Sequence, residues 1–163
     1  MTNCPLAQKP IEIRSPFEGE CAKKATLNVT LCVADGRIAL KLVPEPCRVE
    51  GQDYVAIEGN SAVVIKLIGE QVFFSKQYDA ITMKGDFARY YGDLAYSELD
   101  EETGRYKCVT FRARFDKEGK TDSSHPFNIN VDLYLPGSKP EWVPITIDPD
   151  IKNPPPWLGG GRG

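Results

Sequence analysis

Side chains able to make or break bonds are few in this chain and thinly spread. His125 is the only histidine; it precedes Pro126 and follows the polar segment 117–124, so it reads as an exposed loop residue. A nucleophilic triad needs a hydroxyl and an orienting acid placed around the imidazole. Ser123 and Ser124 adjoin His125, but adjacency in sequence aligns no oxygen with a ring nitrogen. There is no G-x-S-x-G elbow, and no glycine-rich loop ending in lysine to cradle a phosphate. Carboxylates are more plentiful: Asp148 and Asp150 flank Pro149, and Asp116, Glu118 and Asp122 share one loop. Calcium collects about six to eight oxygens, which makes Asp148 and Asp150 candidate ligands. The competing reading is local Asx turns around the proline. With no EF-hand spacing and no C-x-x-C pair, no metal and no cofactor is expected.

Basic and aromatic side chains offer recognition instead. Arg112 and Arg114 alternate with Phe111, Ala113 and Phe115, while Asn128, Asn130 and Asp132 alternate with Phe127, Ile129, Val131 and Leu133. A period of two sends successive side chains to opposite faces of a strand. Paired as neighbouring antiparallel strands, the two segments would set both arginines opposite Asn128, Asn130 and Asp132. That surface suits a carboxylate, a phosphate or a sugar. The alternative is a solvated cross-strand Arg112–Asp132 bond, worth about 0.2–1 kcal/mol. Tyr90 and Tyr91 join apolar bodies to polar tips in a connection, and Trp157 follows three prolines. These three are the candidates for partner binding.

Positioning any of these groups requires a β framework. Leu27–Val33 alternates, Asp35-Gly36 supplies a type I′ turn, and Ile38, Leu40 and Leu42 alternate again. Taken literally, the turn pairs Ala34 with Arg37, Val33 with Ile38, Leu31 with Leu40 and Val29 with Leu42. Gly59-Asn60 and Gly69-Glu70 read as further hairpin turns, the second pairing Leu67 with Val72 and Ile65 with Phe74. Residues 80–83 and 93–99 are weaker strands, and 142–148 reads as a last strand, with Pro144 arguing for an edge position. Phe87–Leu94 holds at most a short helical turn. The fold expected is all-β: a single-domain antiparallel β-sandwich of about eight to ten strands with little helix. It spans residues 1–152, with residues 153–163 as a Pro/Gly-rich tail. Leu31, Leu40, Ile65, Phe111, Ile129 and Val131 should share its core.

Composition narrows the function classes. At 163 residues the chain suits one well-buried domain. A net charge of −3, with basic residues scattered, argues against nucleic acid as a partner. No run approaches the roughly 18 apolar residues of a membrane span. Residues 1–10 lack the apolar core of a secretion signal. The five cysteines, Cys4, Cys21, Cys32, Cys47 and Cys108, are odd in number and irregularly spaced, as expected of reduced thiols. The expected setting is a bacterial cytoplasm. The reading from residues alone is a non-enzymatic binding or assembly module that forms a homodimer. The alternative is a small-ligand protein or enzyme using the Arg112/Arg114 face.

The segments Phe127–Leu133 and Ile145–Pro154 resemble a group of small bacterial proteins, some labelled nucleotide synthetases. The resemblance covers about the last third of the chain. It assigns no individual residue a role, and the chain holds no phosphate-cradling glycine loop followed by a lysine that would support the label.

Overall fold

The computed structural model describes residues 9–85, 87–119 and 123–159. Twelve strands run along them: β1 (Lys9–Pro10), β2 (Lys23–Ala34), β3 (Arg37–Glu45), β4 (Val55–Ala56), β5 (Ser61–Ile68), β6 (Val72–Phe74), β7 (Ile81–Met83), β8 (Tyr91–Asp100), β9 (Arg105–Ala113), β10 (Ser124–Leu135), β11 (Glu141–Ile147) and β12 (Asp150–Lys152). A single 3-10 turn, Ala88–Tyr90, precedes β8, and a four-residue helix, Pro156–Gly159, follows β12. One sheet has the order β3-β2-β5-β9-β8. The other is organised on β10, which pairs with β7 and β6 along one edge and with β12 and β11 along the other; β1 extends β7 and β4 extends β12. A single apolar cluster draws on both sheets, with Val63, Ile65, Val109 and Phe111 from one and Phe74, Ile81, Ile129 and Leu133 from the other.

The fold is all-β, as the alternating patterns require, but the sheets are mixed rather than wholly antiparallel. β2 runs parallel to β5, and β12 parallel to β4. The β2–β3 hairpin has the register expected of its Asp35-Gly36 turn: Ala34 opposite Arg37, Leu31 opposite Leu40, Val29 opposite Leu42. Asp35 and Gly36 both take the positive φ that the turn demands. Leu31, Ile65, Phe111, Ile129 and Val131 are buried, whereas Leu40 is 47% exposed. The expectation for Leu40 fails because β3, the last strand of its sheet among the described residues, carries an aliphatic row that leaves the core: Leu42 packs against it while Leu40 and Ile38 are exposed. Pro144 lies on β11, which pairs only with β10 among the described residues, so its missing N–H leaves no ladder bond unmade.

The other proposed hairpins do not form. β4 and β5 belong to different sheets, and so do β5 and β6. At Gly69 the chain crosses between sheets with φ +126, and a Cβ there would stand 2.8 Å from the Leu31 carbonyl oxygen. Only glycine passes so close to that backbone. β9 and β10 are likewise not neighbours. Their apolar rows meet face to face across the core, with the Phe111 and Phe127 ring centroids 6.5 Å apart. Nor do residues 153–157 form a tail: Asn153, Pro154 and Pro155 are buried against the body. Residues 160–163 lie outside the described residues.

Candidate functional site

A large cavity lies where the core-facing row of β9 runs out of core. Val109, Phe111 and Ala113 are buried, and the same face continues through Lys107 to Arg105. These two long side chains reach from one sheet to the other. The Arg105 Nε pairs with Asp132 Oδ2 at 2.8 Å, the two side chains being only 12% and 10% exposed. Asp132 also accepts the Lys76 backbone N–H at 3.2 Å. The guanidinium lies 3.6 Å above the Trp142 ring, and a further N–H donates to the Thr103 carbonyl at 3.3 Å. A cation over an indole face is attracted by its quadrupole, more strongly where water is excluded. Trp142 in turn packs against Tyr134 at 4.9 Å and edge-on against Phe73 at 5.6 Å.

Lys107 donates to the carbonyls of Gly69 and Val72, and its ammonium stands 4.6 Å from the Phe73 ring centroid. Burial lowers its pKa, opposed by Asp100 and Glu98. An ammonium has three donors, so one N–H remains for a further acceptor. The turn joining β8 to β9 forms the opposite wall. There Asp100 Oδ2 accepts from the Thr103 hydroxyl at 2.6 Å and from its N–H at 3.3 Å, which closes the turn. The resulting cavity measures about 790 Å³, with Phe73, Tyr134 and Trp142 as its aromatic floor and Arg105, Lys107, Asp100, Glu102 and Thr103 at its polar side.

A second, smaller cavity of about 350 Å³ lies at the other end of β9, bordered by Tyr90, Arg114, Asp116, Lys117 and Glu118. The Arg114 guanidinium stacks over Tyr90 at 4.7 Å. Beneath Tyr90 sits His125, 2% exposed rather than on a loop, because it belongs to β10 opposite Ile151. Its ring stacks on Phe87 at 4.1 Å and its Nδ1 lies 2.7 Å from the Tyr91 hydroxyl. Burial lowers the His125 pKa to about 4; Asp116 opposes the shift and Arg89 adds to it. Burial likewise raises the Tyr91 phenol. The pair is therefore neutral, phenol and imidazole sharing one buried hydrogen bond. Asn153 ties the region together, donating to the Arg114 carbonyl at 2.9 Å and accepting the Asp116 N–H at 2.8 Å.

A family model described as a predicted novel nucleotide synthetase matches residues 1–156. The chain belongs to this family. The match covers far more than the last third, where the resemblance was first legible. No curated protein matches the chain. Membership in this family gives no support to the non-enzymatic reading drawn from missing motifs.

For a member of this family, the residues singled out by alternation alone are not one site. Arg112 lies on the outer face of β9, donating to Ser15 Oγ at 3.1 Å and the Gly19 carbonyl at 2.9 Å. Arg114 belongs to the smaller cavity. Asn128, Asn130 and Asp132 are on the other sheet and buried: Asn128 donates to Thr82 Oγ1, Asn130 accepts from the Thr146 hydroxyl, and Asp132 holds Arg105. Tyr91 is buried in the core, whereas Tyr90 borders the smaller cavity. Trp157 stacks on Tyr54 at 6.3 Å and donates to Glu58 Oε2 at 3.1 Å within its own chain. Asp148 pairs with Lys84 at 2.8 Å and Asp150 stands in β12 opposite Pro126. Among the described residues no three His, Cys, Asp or Glu side chains are grouped to hold a metal; Asp122 lies outside them. Cys21, Cys47 and Cys108 are free thiols, while Cys4 and the Cys32 side chain lie outside the described residues. No helix among the described residues is long and apolar enough to cross a membrane.

Sequence reasoning missed Phe73, Trp142, Arg105 and Lys107. One signal was available. Arg105 and Lys107 stand at the apolar phase of the β9 alternation, where cations are rare unless paired.

Proposed function

We propose that this chain is an enzyme of nucleotide chemistry that binds its nucleotide in the 790 Å³ cavity between the β8–β9 turn and Trp142. The observation that carries the reading is the joining of two cations to an aromatic floor in one concave, partly desolvated space. A nucleotide has an anionic end and a planar end, and these two classes of side chain recognise them separately. Phosphate oxygens accept from the free N–H of Lys107 and are attracted by the guanidinium of Arg105. The base packs into the aromatic floor that Trp142, Tyr134 and Phe73 form, where stacking on one ring face is worth about 1–3 kcal/mol per base elsewhere. Asp100, Glu102 and Thr103 supply acceptors for ribose hydroxyls. Arg105 is locked by Asp132 and Trp142 before any ligand arrives, so little side-chain entropy is lost on binding.

The test is titration of each common ribonucleoside triphosphate into the full chain, followed by Trp fluorescence, with product analysis after incubation in magnesium buffer. Binding with quenching of Trp142 is expected. Lys107→Ala should weaken it at least tenfold while the chain stays folded. Failure of every triphosphate to bind would sink the site assignment, and tight binding without any new nucleotide product would sink the enzymatic part.

A further inference from the structure

We propose that β3 pairs with β3 of a second copy of this chain, antiparallel, across a two-fold axis at Leu40. The inference is independent of the nucleotide reading. β3 has β2 on one side, and among the described residues no strand on the other. An open edge of nine residues is a template for pairing unless something blunts it. In a two-residue hairpin the residues flanking the turn exchange both hydrogen bonds. Arg37, Ala39, Lys41 and Val43 therefore bond to β2. Ile38, Leu40 and Leu42 turn their N–H and C=O groups to the open edge, up to Pro44, which has no N–H to give.

Those three residues complement themselves. With the axis at Leu40, Ile38 meets Leu42 of the second copy, Leu40 meets Leu40, and every outward N–H finds a carbonyl. The side chains agree with the backbone. The same three residues form an aliphatic row that loses its cover along the strand: Leu42 packs against the core, while Leu40 is 47% and Ile38 52% exposed. Pairing sets Leu42 of each copy beside Ile38 of the other, so the better-covered end of one row shields the barer end of its twin.

Charge selects this register over its neighbours. Moving the axis to Ala39 sets Arg37 opposite Lys41. Moving it to Lys41 sets that lysine opposite itself and places donorless Pro44 against Ile38. Like charges directly opposite destabilise a strand pair. At Leu40, Lys41 faces Ala39 and Arg37 faces Val43, so no like charges stand directly opposite, and Arg37 has one anion, Glu45, and one cation, Lys41, of the second copy at its diagonals. Closed two-fold pairs of this kind are the commonest assemblies of soluble chains.

Light scattering on the full chain across a concentration series tests the proposal, together with amide exchange at Ile38, Leu40 and Leu42. A dimer is expected, with slow exchange at these amides. Leu40→Lys puts two cations on the axis at an already exposed position, so it should give a folded monomer with fast exchange there, while Leu40→Val keeps the dimer. If Leu40→Lys does not fold, Ile38→Lys serves the same purpose one pair away from the axis. A monomer for the unaltered chain up to about 100 μM, or a dimer that survives a folded lysine variant, would overturn the proposal.

Discussion

The two ends of β9 carry two pairs of basic side chains, held in contrasting ways. At the β8–β9 turn, Arg105 and Lys107 lie on the core-facing row and are committed to partners. Arg105 has Asp132 and the Trp142 face, and Lys107 has two carbonyls and the Phe73 ring. At the far end, Arg112 lies on the outer face among exposed groups, and Arg114 rests on Tyr90 above a neutral His125–Tyr91 pair. The first end concentrates charge inside a cavity walled by aromatics. The second keeps its charge at the surface and its buried groups uncharged. Burial depth decides which cations are held in one fixed position. A charge between two sheets is affordable only if its position is fully specified, and that specification is what ligand recognition needs.

Removing an anchor at each end measures the contrast. Asp132→Ala leaves Arg105 buried without its counter-ion and Lys76 N–H without its acceptor. The expected loss is about 3–5 kcal/mol in urea denaturation, the range for a broken buried pair. A loss below about 1 kcal/mol would mean that the first end is as loosely held as the second.

The next largest effect is a pH dependence confined to the second end. Unfolded, His125 titrates near 6.5; folded, it titrates near 4 because its ring is buried. Between those values the unfolded chain binds a proton that the folded chain refuses, so stability falls as pH drops from 6.5 toward 4, and this group costs nothing above 6.5. The fall is at most about 3.5 kcal/mol, from about 1.4 kcal/mol per pKa unit. His125→Gln should flatten the stability profile over that window; an unchanged slope would show that the ring titrates normally in the fold.

The smallest effect expected is at Arg112. Its Nε lies 3.9 Å from Asp93, whose side chain is mostly exposed. Asp93→Asn should change stability by less than about 0.5 kcal/mol. A loss near that of Asp132→Ala would erase the distinction between the two ends.

Some of this arrangement was legible in the residues. The β2–β3 register followed from Asp35-Gly36 alone, because a two-residue turn leaves the strands no freedom to slide. The 3-10 turn near Ala88 and the edge position of Pro144 also followed from local chemistry. The cavity did not, because its parts come from β6, β8, β9, β10 and β11. Trp142 and Arg105 are far apart in sequence and share no periodic pattern.

Alternation by itself determined that the chain is all-β and which side chains share a face of β2, β5, β9 and β10, since side-chain direction along a strand depends only on its pleat. It left open whether two apolar rows lie side by side in one sheet or face to face across a core. Hydrophobic burial rewards both arrangements because it has no direction. Tertiary structure made that choice for Phe111 and Phe127, placing β9 and β10 in opposite sheets. The same choice separated Arg112 and Arg114 from Asn128 and Asn130, sent Asp132 to Arg105, and left Leu40 at an open edge.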